Sequence, residues 1–177
     1  RVSVNDLIVK ACAVSLGKFP MFNAVFKEDH LKVAPHVNIG VAISLPDGLL
    51  VPAVMECERK SLVQIAQETK ELGERARAGR LRQDEYTGGT FSVSNLGMYN
   101  VDGFAAIIVA PQSAVLAVGT VQPQPVVRDG EIVVRQMMQA TLSADHRVSN
   151  GTDSALFIVE VQRLLENPVS LLVPDLP

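Results

Sequence analysis

Apolar positions recur along the chain with two periods, and the points where the period changes mark the elements. Leu7, Ile8, Ala11, Val14 and Ser15 fall on one face at helical spacing, behind Ser3 and an acid three residues on, Asp6. Phe19-Pro20 ends that helix. The period then shortens. Residues 31–34, 38–45 and 49–55 are predicted strands, with Pro46-Asp47-Gly48 as the turn between the last two. Ser61 with Gln64 repeats the helix-start signature. Leu62, Ile65, Ala66, Thr69, Leu72 and Ala76 then form a buried stripe, Gly79 closes the helix, and Gln67, Lys70, Glu71, Glu74 and Arg77 make its solvated face. Strands are predicted over 90–95, 105–109 and 113–120. Val126-Val127 and residues 132–134 flank Arg128-Asp129-Gly130-Glu131 as a hairpin, whose second strand is expected to run on through Met137 and Leu142 to Ala144. Residues 153–166 read as a last helix, closed by Asn167-Pro168. Strands and helices follow one another without βαβ alternation, which predicts an α+β fold with a mixed or antiparallel sheet covered by helices.

Composition narrows this picture. At 177 residues the chain is one domain by length, and 47% apolar with 20% charged residues is ordinary for a globular core. Sixteen basic residues against nineteen acidic give a net charge of −3, which argues against nucleic acid and anionic membranes as partners. The longest apolar run, near residues 104–110, is far short of the ~18–20 residues a membrane span needs. Cys12 and Cys57 stand alone, without metal-ligand or CxxC spacing, which favours a reducing compartment. The opening residues carry no signal peptide pattern.

Two segments carry chemistry. Ser143-Ala144-Asp145-His146-Arg147-Val148-Ser149-Asn150-Gly151 joins a long apolar strand to a helix start, so His146 is offered on a loop with rigid supports. An imidazole titrates near neutral pH and can serve as a general base. Asn150 follows four residues on as a hydrogen-bonding brace for the loop, and Gly151 offers a backbone turn. In Gly88-Gly89-Thr90-Phe91-Ser92-Val93-Ser94-Asn95-Leu96-Gly97-Met98 a strand ends in small polar residues. Ser92 and Ser94 share one face, and a hydroxyl there can donate to a developing oxyanion. The plain alternatives are a surface histidine and an ordinary strand-to-turn junction. No acid is spaced to complete a triad and no GxSxG elbow exists, which disfavours a serine hydrolase.

Together these segments resemble the catalytic domain of the dihydrolipoyl acyltransferases, the core components of 2-oxo acid dehydrogenase complexes. The resemblance rests on Gly88-Gly89-Thr90-Phe91-Ser92-Val93-Ser94-Asn95-Leu96-Gly97, on Ala110-Pro111-Gln112-Ser113-Ala114-Val115-Leu116-Ala117-Val118-Gly119 and on Leu142-Ser143-Ala144-Asp145-His146-Arg147-Val148. Val37-Asn38-Ile39-Gly40-Val41-Ala42 and Gly48-Leu49-Leu50-Val51-Pro52 fit as well, so it covers essentially the whole chain. It implies a chloramphenicol-acetyltransferase-like fold and an acyl transfer between dihydrolipoyl-lysine and coenzyme A. His146 matches the histidine that takes the thiol proton, Ser94 rather than Ser92 the oxyanion donor, and Asn150 the third site position; Asp145, Arg147 and Gly151 support the loop. Acetyl is the favoured group. A branched-chain acyl group, a non-catalytic scaffold subunit and a free antibiotic acetyltransferase are the rivals.

The resemblance further implies coenzyme A as a substrate, a lipoyl-lysine carried on a separate domain, and no metal. The partners it implies are a homotrimer building a cubic or dodecahedral core, the lipoyl domain, and the 2-oxo acid decarboxylase and dihydrolipoyl dehydrogenase components. The lipoyl and peripheral-subunit-binding domains and the first part of the catalytic domain are expected to lie outside residues 1–177, and the bacterial cytoplasm is favoured over the mitochondrial matrix. The family usually has Asp where Asn150 stands, Asn-Pro where Val109-Ala110 stands and a basic residue at Met55. His30 and His36 match no catalytic position, and Met137-Met138 reads as core or inter-subunit packing.

Overall fold

Ser3 caps the first helix as the pattern requires. In a computed structural model that describes residues 1–172, its side chain accepts from the Asp6 amide while the Asp6 carboxylate takes the Ser3 amide at 2.7 Å. Helix α1 spans Val4–Lys18 and is buried on more than the expected stripe: Val9, Cys12, Ala13 and Leu16 are as inaccessible as Ile8 and Ala11. It lies between α2 (Leu62–Arg77) and α4 (Gly151–Glu166). Helix α2 carries the Ser61/Gln64 capping box and ends at Gly79, whose φ of +64° is the left-handed conformation glycine permits. A short helix α3, Gln83–Thr87, escaped the pattern reading. Its Glu85 is buried and bonded by Arg75 at 2.5 Å and by the Arg82 amide at 2.8 Å, so ion pairing rather than an apolar stripe holds it.

The central sheet has five strands in the order β11-β8-β7-β3-β6: Ala140–Ala144, Ala114–Val118, Phe91–Asn95, Ile39–Val41 and Ala53–Val54. The pairs β8–β7 and β7–β3 are parallel, and both outer pairs are antiparallel. The sheet is therefore mixed, and helices cover one face. Onto that face project Phe91, Val93, Ala114, Leu116, Val118, Ile39 and Val41, meeting α1 and α4 in one core. Phe157 of α4 is its centre, with ring centroids 5.0 Å from Phe22, 5.7 Å from Phe91 and 5.9 Å from Phe19. Three hairpins lie outside the sheet: β1–β2 (Ala24–Lys27, His30–Val33), β4–β5 (Ile43–Leu45, Gly48–Leu50) and β9–β10 (Gln122–Arg128, Glu131–Met137). Asp129 and Gly130, at φ +53° and +84°, form the two-residue turn expected of the last.

Four expectations need correction. Residues 38–45 and 49–55 each divide in two, because the chain leaves the sheet at Ala42 and returns after Pro52, which has no amide to donate. The strand expected to run unbroken from 132 to 144 stops at Met137 and restarts at Ala140, since β10 pairs with β9 and β11 with β8. Residues 105–109 form no strand: this segment pairs with neither edge strand, β11 nor β6, and crosses the sheet at Ser143. It is held by Ser143 Oγ donating to the Ala106 carbonyl at 2.8 Å and by the Thr120 amide on the Val101 carbonyl. A Cβ at Gly119 would stand 2.0 Å from the Asp102 carbonyl oxygen, so only glycine admits this crossing. Last, α4 begins at Gly151, two residues before the expected 153. Strand β1 was not anticipated.

No helix among the described residues is long and apolar enough to cross a membrane. Cys12 and Cys57 are fully buried, and burial pushes both thiols up, Cys57 to about 12, so neither is a ready nucleophile. His30 and His36 pair with Asp29 and Glu58 on the surface, as expected of residues outside the site. Met138 packs against the core.

Candidate active site

Strand alternation sends Ser92 and Ser94 to the sheet face opposite the helices, and their neighbours decide between them. The Ser92 hydroxyl is buried and donates to Gln112 Oε1 at 2.6 Å. A Cβ on Gly40, the residue paired with Ser92 on β3, would come within 2.9 Å of that hydroxyl. Ser92 is a structural fastening. Ser94, two residues on and half-buried, makes no side-chain hydrogen bond among the described residues, so its donor is free. The strand end carrying it is fixed next door: Asn95 Oδ1 accepts from the Gly97 amide at 2.8 Å, and Asn95 Nδ2 donates to Asn5 Oδ1 on α1 at 3.1 Å. Gln112 lay within the second quoted motif, but only the fold reveals it as the partner of Ser92.

His146 sits on the turn between β11 and α4, exposed, and makes no hydrogen bond among the described residues. Its neighbours are tied down. The Asp145 amide donates to the Ser113 carbonyl at 2.8 Å, and the Asp145 carbonyl accepts from the amides of Val148 and Ser149. The Asp145 carboxylate takes the Arg147 amide at 2.9 Å and the guanidinium through Nε and Nη2, the latter at 2.6 Å. These hydrogen bonds hold the Asp145 carboxyl below the usual carboxylate range, the Arg147 side chain acting most strongly. Asp145 and Arg147 are thus joined to each other on either side of His146.

Asn150 and Gly151 stand at the start of α4. Asn150 is exposed and is the N-cap of α4: its Oδ1 accepts from the Asp153 amide at 2.9 Å, while its own amide donates to Asp153 Oδ2 at 3.2 Å. It braces the helix start through the backbone, and no charge would be buried if it were Asp. Gly151 is the first helical residue, without a left-handed φ, so no special turn is asked of it.

Register sets the separation of the two groups. Ser94 pairs with Ala117, and Ala117 with Thr141, whereas Asp145 lies opposite Ser113, four residues further along β8. Four residues at ~3.3 Å and two strand spacings of ~4.8 Å put Ser94 and Asp145 about 16 Å apart, with His146 beyond. A base and an oxyanion donor must each lie within ~3 Å of atoms two bonds apart. One chain does not bring these two groups together.

Comparison with known proteins places the chain. It is 41% identical over 173 residues to the dihydrolipoyllysine-residue acetyltransferase component of the pyruvate dehydrogenase complex of Rhizobium meliloti, covering 98% of this chain and 39% of that protein. The chain therefore spans about two-fifths of the length of that curated relative. The Azotobacter vinelandii dihydrolipoamide acetyltransferase superposes with a TM-score of 0.92 at 38% identity, covering 97% of this chain and 72% of that one. That structure was solved to investigate a serine, a histidine and an asparagine in its catalytic mechanism, the first two 52 positions apart and the last two four apart. The cubic core of a pyruvate dehydrogenase multienzyme complex also superposes at 0.92 and 38% identity, over 98% and 72% of the two chains. A chloramphenicol acetyltransferase, at 16% identity and a TM-score of 0.57 over 92% and 78%, shares the fold. The family model of the 2-oxoacid dehydrogenases acyltransferase catalytic domain matches residues 1–173, and the chain belongs to that family.

Proposed function

We propose that the chain catalyses transfer of an acetyl group between coenzyme A and dihydrolipoyl-lysine at a site shared by two subunits. The observation that carries this reading is the pair of unengaged groups, Ser94 Oγ and His146, at opposite ends of one sheet. Each is presented, and neither is satisfied among the described residues. In a cyclic head-to-tail trimer, the Ser94 end of one subunit meets the His146 loop of the next. The spacings support the same assignment: Ser94 and His146 are 52 positions apart and Asn150 stands four beyond, as in the Azotobacter enzyme.

In the reaction His146 takes the proton of the attacking thiol, which at an ordinary pKa of ~8.5 is mostly protonated at pH 7. The thiol sulfur adds to the thioester carbonyl. The carbonyl oxygen gains the negative charge and accepts a hydrogen bond from Ser94 Oγ. Collapse re-forms the carbonyl, breaks the bond to the first sulfur and returns the proton from His146 to it. Asn150 holds the start of α4 behind the loop. The lipoyl-lysine arrives on its own domain, and the assembled core works with the 2-oxo acid decarboxylase and dihydrolipoyl dehydrogenase components, in the bacterial cytoplasm. Steady-state transfer from acetyl-, isobutyryl- and succinyl-CoA to dihydrolipoamide tests the reading. Acetyl should be fastest, and His146→Ala should lower kcat by ~10²–10⁴ with coenzyme A affinity unchanged. A chain without turnover, or a His146→Ala variant at wild-type rate, overturns it.

A further inference from the structure

We infer that Phe26, on the β1–β2 hairpin, is a positioning residue for His146, acting through Arg147; the inference deepens the functional reading above and rests on it. Phe26 is remote in sequence and belongs to none of the motifs. The hairpin is rooted at Ala24, which is buried, and at Asn23, whose Nδ2 donates to the His36 carbonyl at 3.0 Å. Its two-residue turn places Glu28 at a φ of +50°. Phe26 is half-buried and faces Leu31 across the pair. Its ring lies under the Arg147 guanidinium, 4.6 Å from carbon to centroid.

This contact completes a chain of restraints. The guanidinium grips the Asp145 carboxylate by its Nε and Nη2 edge while its central carbon lies over the Phe26 ring, so carboxylate and ring hold it together. An exposed arginine paired only with its neighbour two residues away would turn freely with the loop. The Phe26 ring is the outside reference that fixes its position. On the other side Asp145 is fixed to Ser113 at the start of β8. His146 lies between these two anchored residues and has no hydrogen bond among the described residues, so their placement decides where the imidazole stands. Misplacing a catalytic group by ~1 Å can cost about 10² in rate.

The test is made on the assembled protein, with acetyl-CoA and dihydrolipoamide. Phe26→Leu keeps apolar bulk but removes the aromatic face, and should lower kcat roughly ten- to a hundredfold with both KM values unchanged. Phe26→Tyr keeps the face and should retain wild-type kcat. Phe26→Leu should add no further loss to Arg147→Ala, since both cut the same link. Hydrogen exchange of residues 143–150, followed by mass spectrometry, should rise in Phe26→Leu and Arg147→Ala and stay at wild-type level in Phe26→Tyr. A wild-type protein without acetyl transfer sinks the functional reading, and exchange then still tests the clamp. Wild-type kcat and exchange in Phe26→Leu, or losses that multiply in the double variant, overturn the positioning role.

Discussion

Complementation between two inactive variants measures whether the site is divided between subunits. Within one chain the Ser94 and Asp145 positions are about 16 Å apart by register, with His146 beyond. Ser94→Ala removes the free hydroxyl and should cost ~10²–10³ in kcat, while His146→Ala removes the proposed base. The His146→Ala subunit still supplies Ser94, and the Ser94→Ala subunit still supplies His146. Around a head-to-tail ring, each site takes one group from each of two neighbours. With equal random mixing, half the subunits offer the first group and half of their neighbours the second, so about a quarter of the sites regain both. Co-expressed material should therefore approach a quarter of wild-type kcat, at least ~20-fold above the Ser94→Ala protein alone. Co-expression lets mixed rings form as the subunits assemble. Native mass spectrometry must show mixed trimers, and activity is read with acetyl-CoA and dihydrolipoamide. Mixed trimers at the average of the two parents would refute the divided site.

Further outcomes follow from the geometry. Ser92→Ala should leave kcat nearly unchanged relative to Ser94→Ala but lower stability by about 1–3 kcal/mol, because it strands the buried Gln112 carbonyl oxygen; a larger catalytic loss at Ser92 would reverse the assignment. Asn150→Ala should cost about 1 kcal/mol in urea unfolding through loss of the α4 cap, whereas Asn150→Asp, also a good cap residue, should be within ~0.5 kcal/mol of wild type. Glu160 is held down to about 2, against an ordinary 4.5, by Arg163 and by Lys18 reaching across from α1. Its folded-state pKa is depressed, so its contribution is complete above about pH 4.5 and is lost as pH falls towards 2. The stability difference between wild type and Glu160→Gln should shrink over that range, and a difference independent of pH would contradict it.

Local chemistry made much of this protein legible in the sequence. The Ser3/Asp6 and Ser61/Gln64 boxes, the stop at Gly79 and the Asp129-Gly130 turn each depend on contacts within a few residues, and all four stand in the structure. The alternation that puts Ser92 and Ser94 on one face is equally local. Even the α4 cap is written in the chain, since Asn150 with Asp153 is the same signature. Strand extents were a different matter. An apolar run such as 105–109 satisfies any strand pattern, but a strand needs a hydrogen-bonded neighbour, and among the described residues this segment pairs with none. The break at 138–139 arises because the two halves of one run pair with different partners. Helix α3 depends on a buried carboxylate bonded from 10 residues away in sequence. The site divides the same way. The resemblance to the family's motifs named Ser94, His146, Asp145 and Arg147, because each of those motifs is a contiguous stretch of chain. Only the fold decided that Ser92 is engaged by Gln112, that Phe26 lies under Arg147, and that serine and histidine stand at opposite ends of one sheet. Each of these is a distance between segments remote in sequence, fixed by register and packing and written in no single stretch of chain.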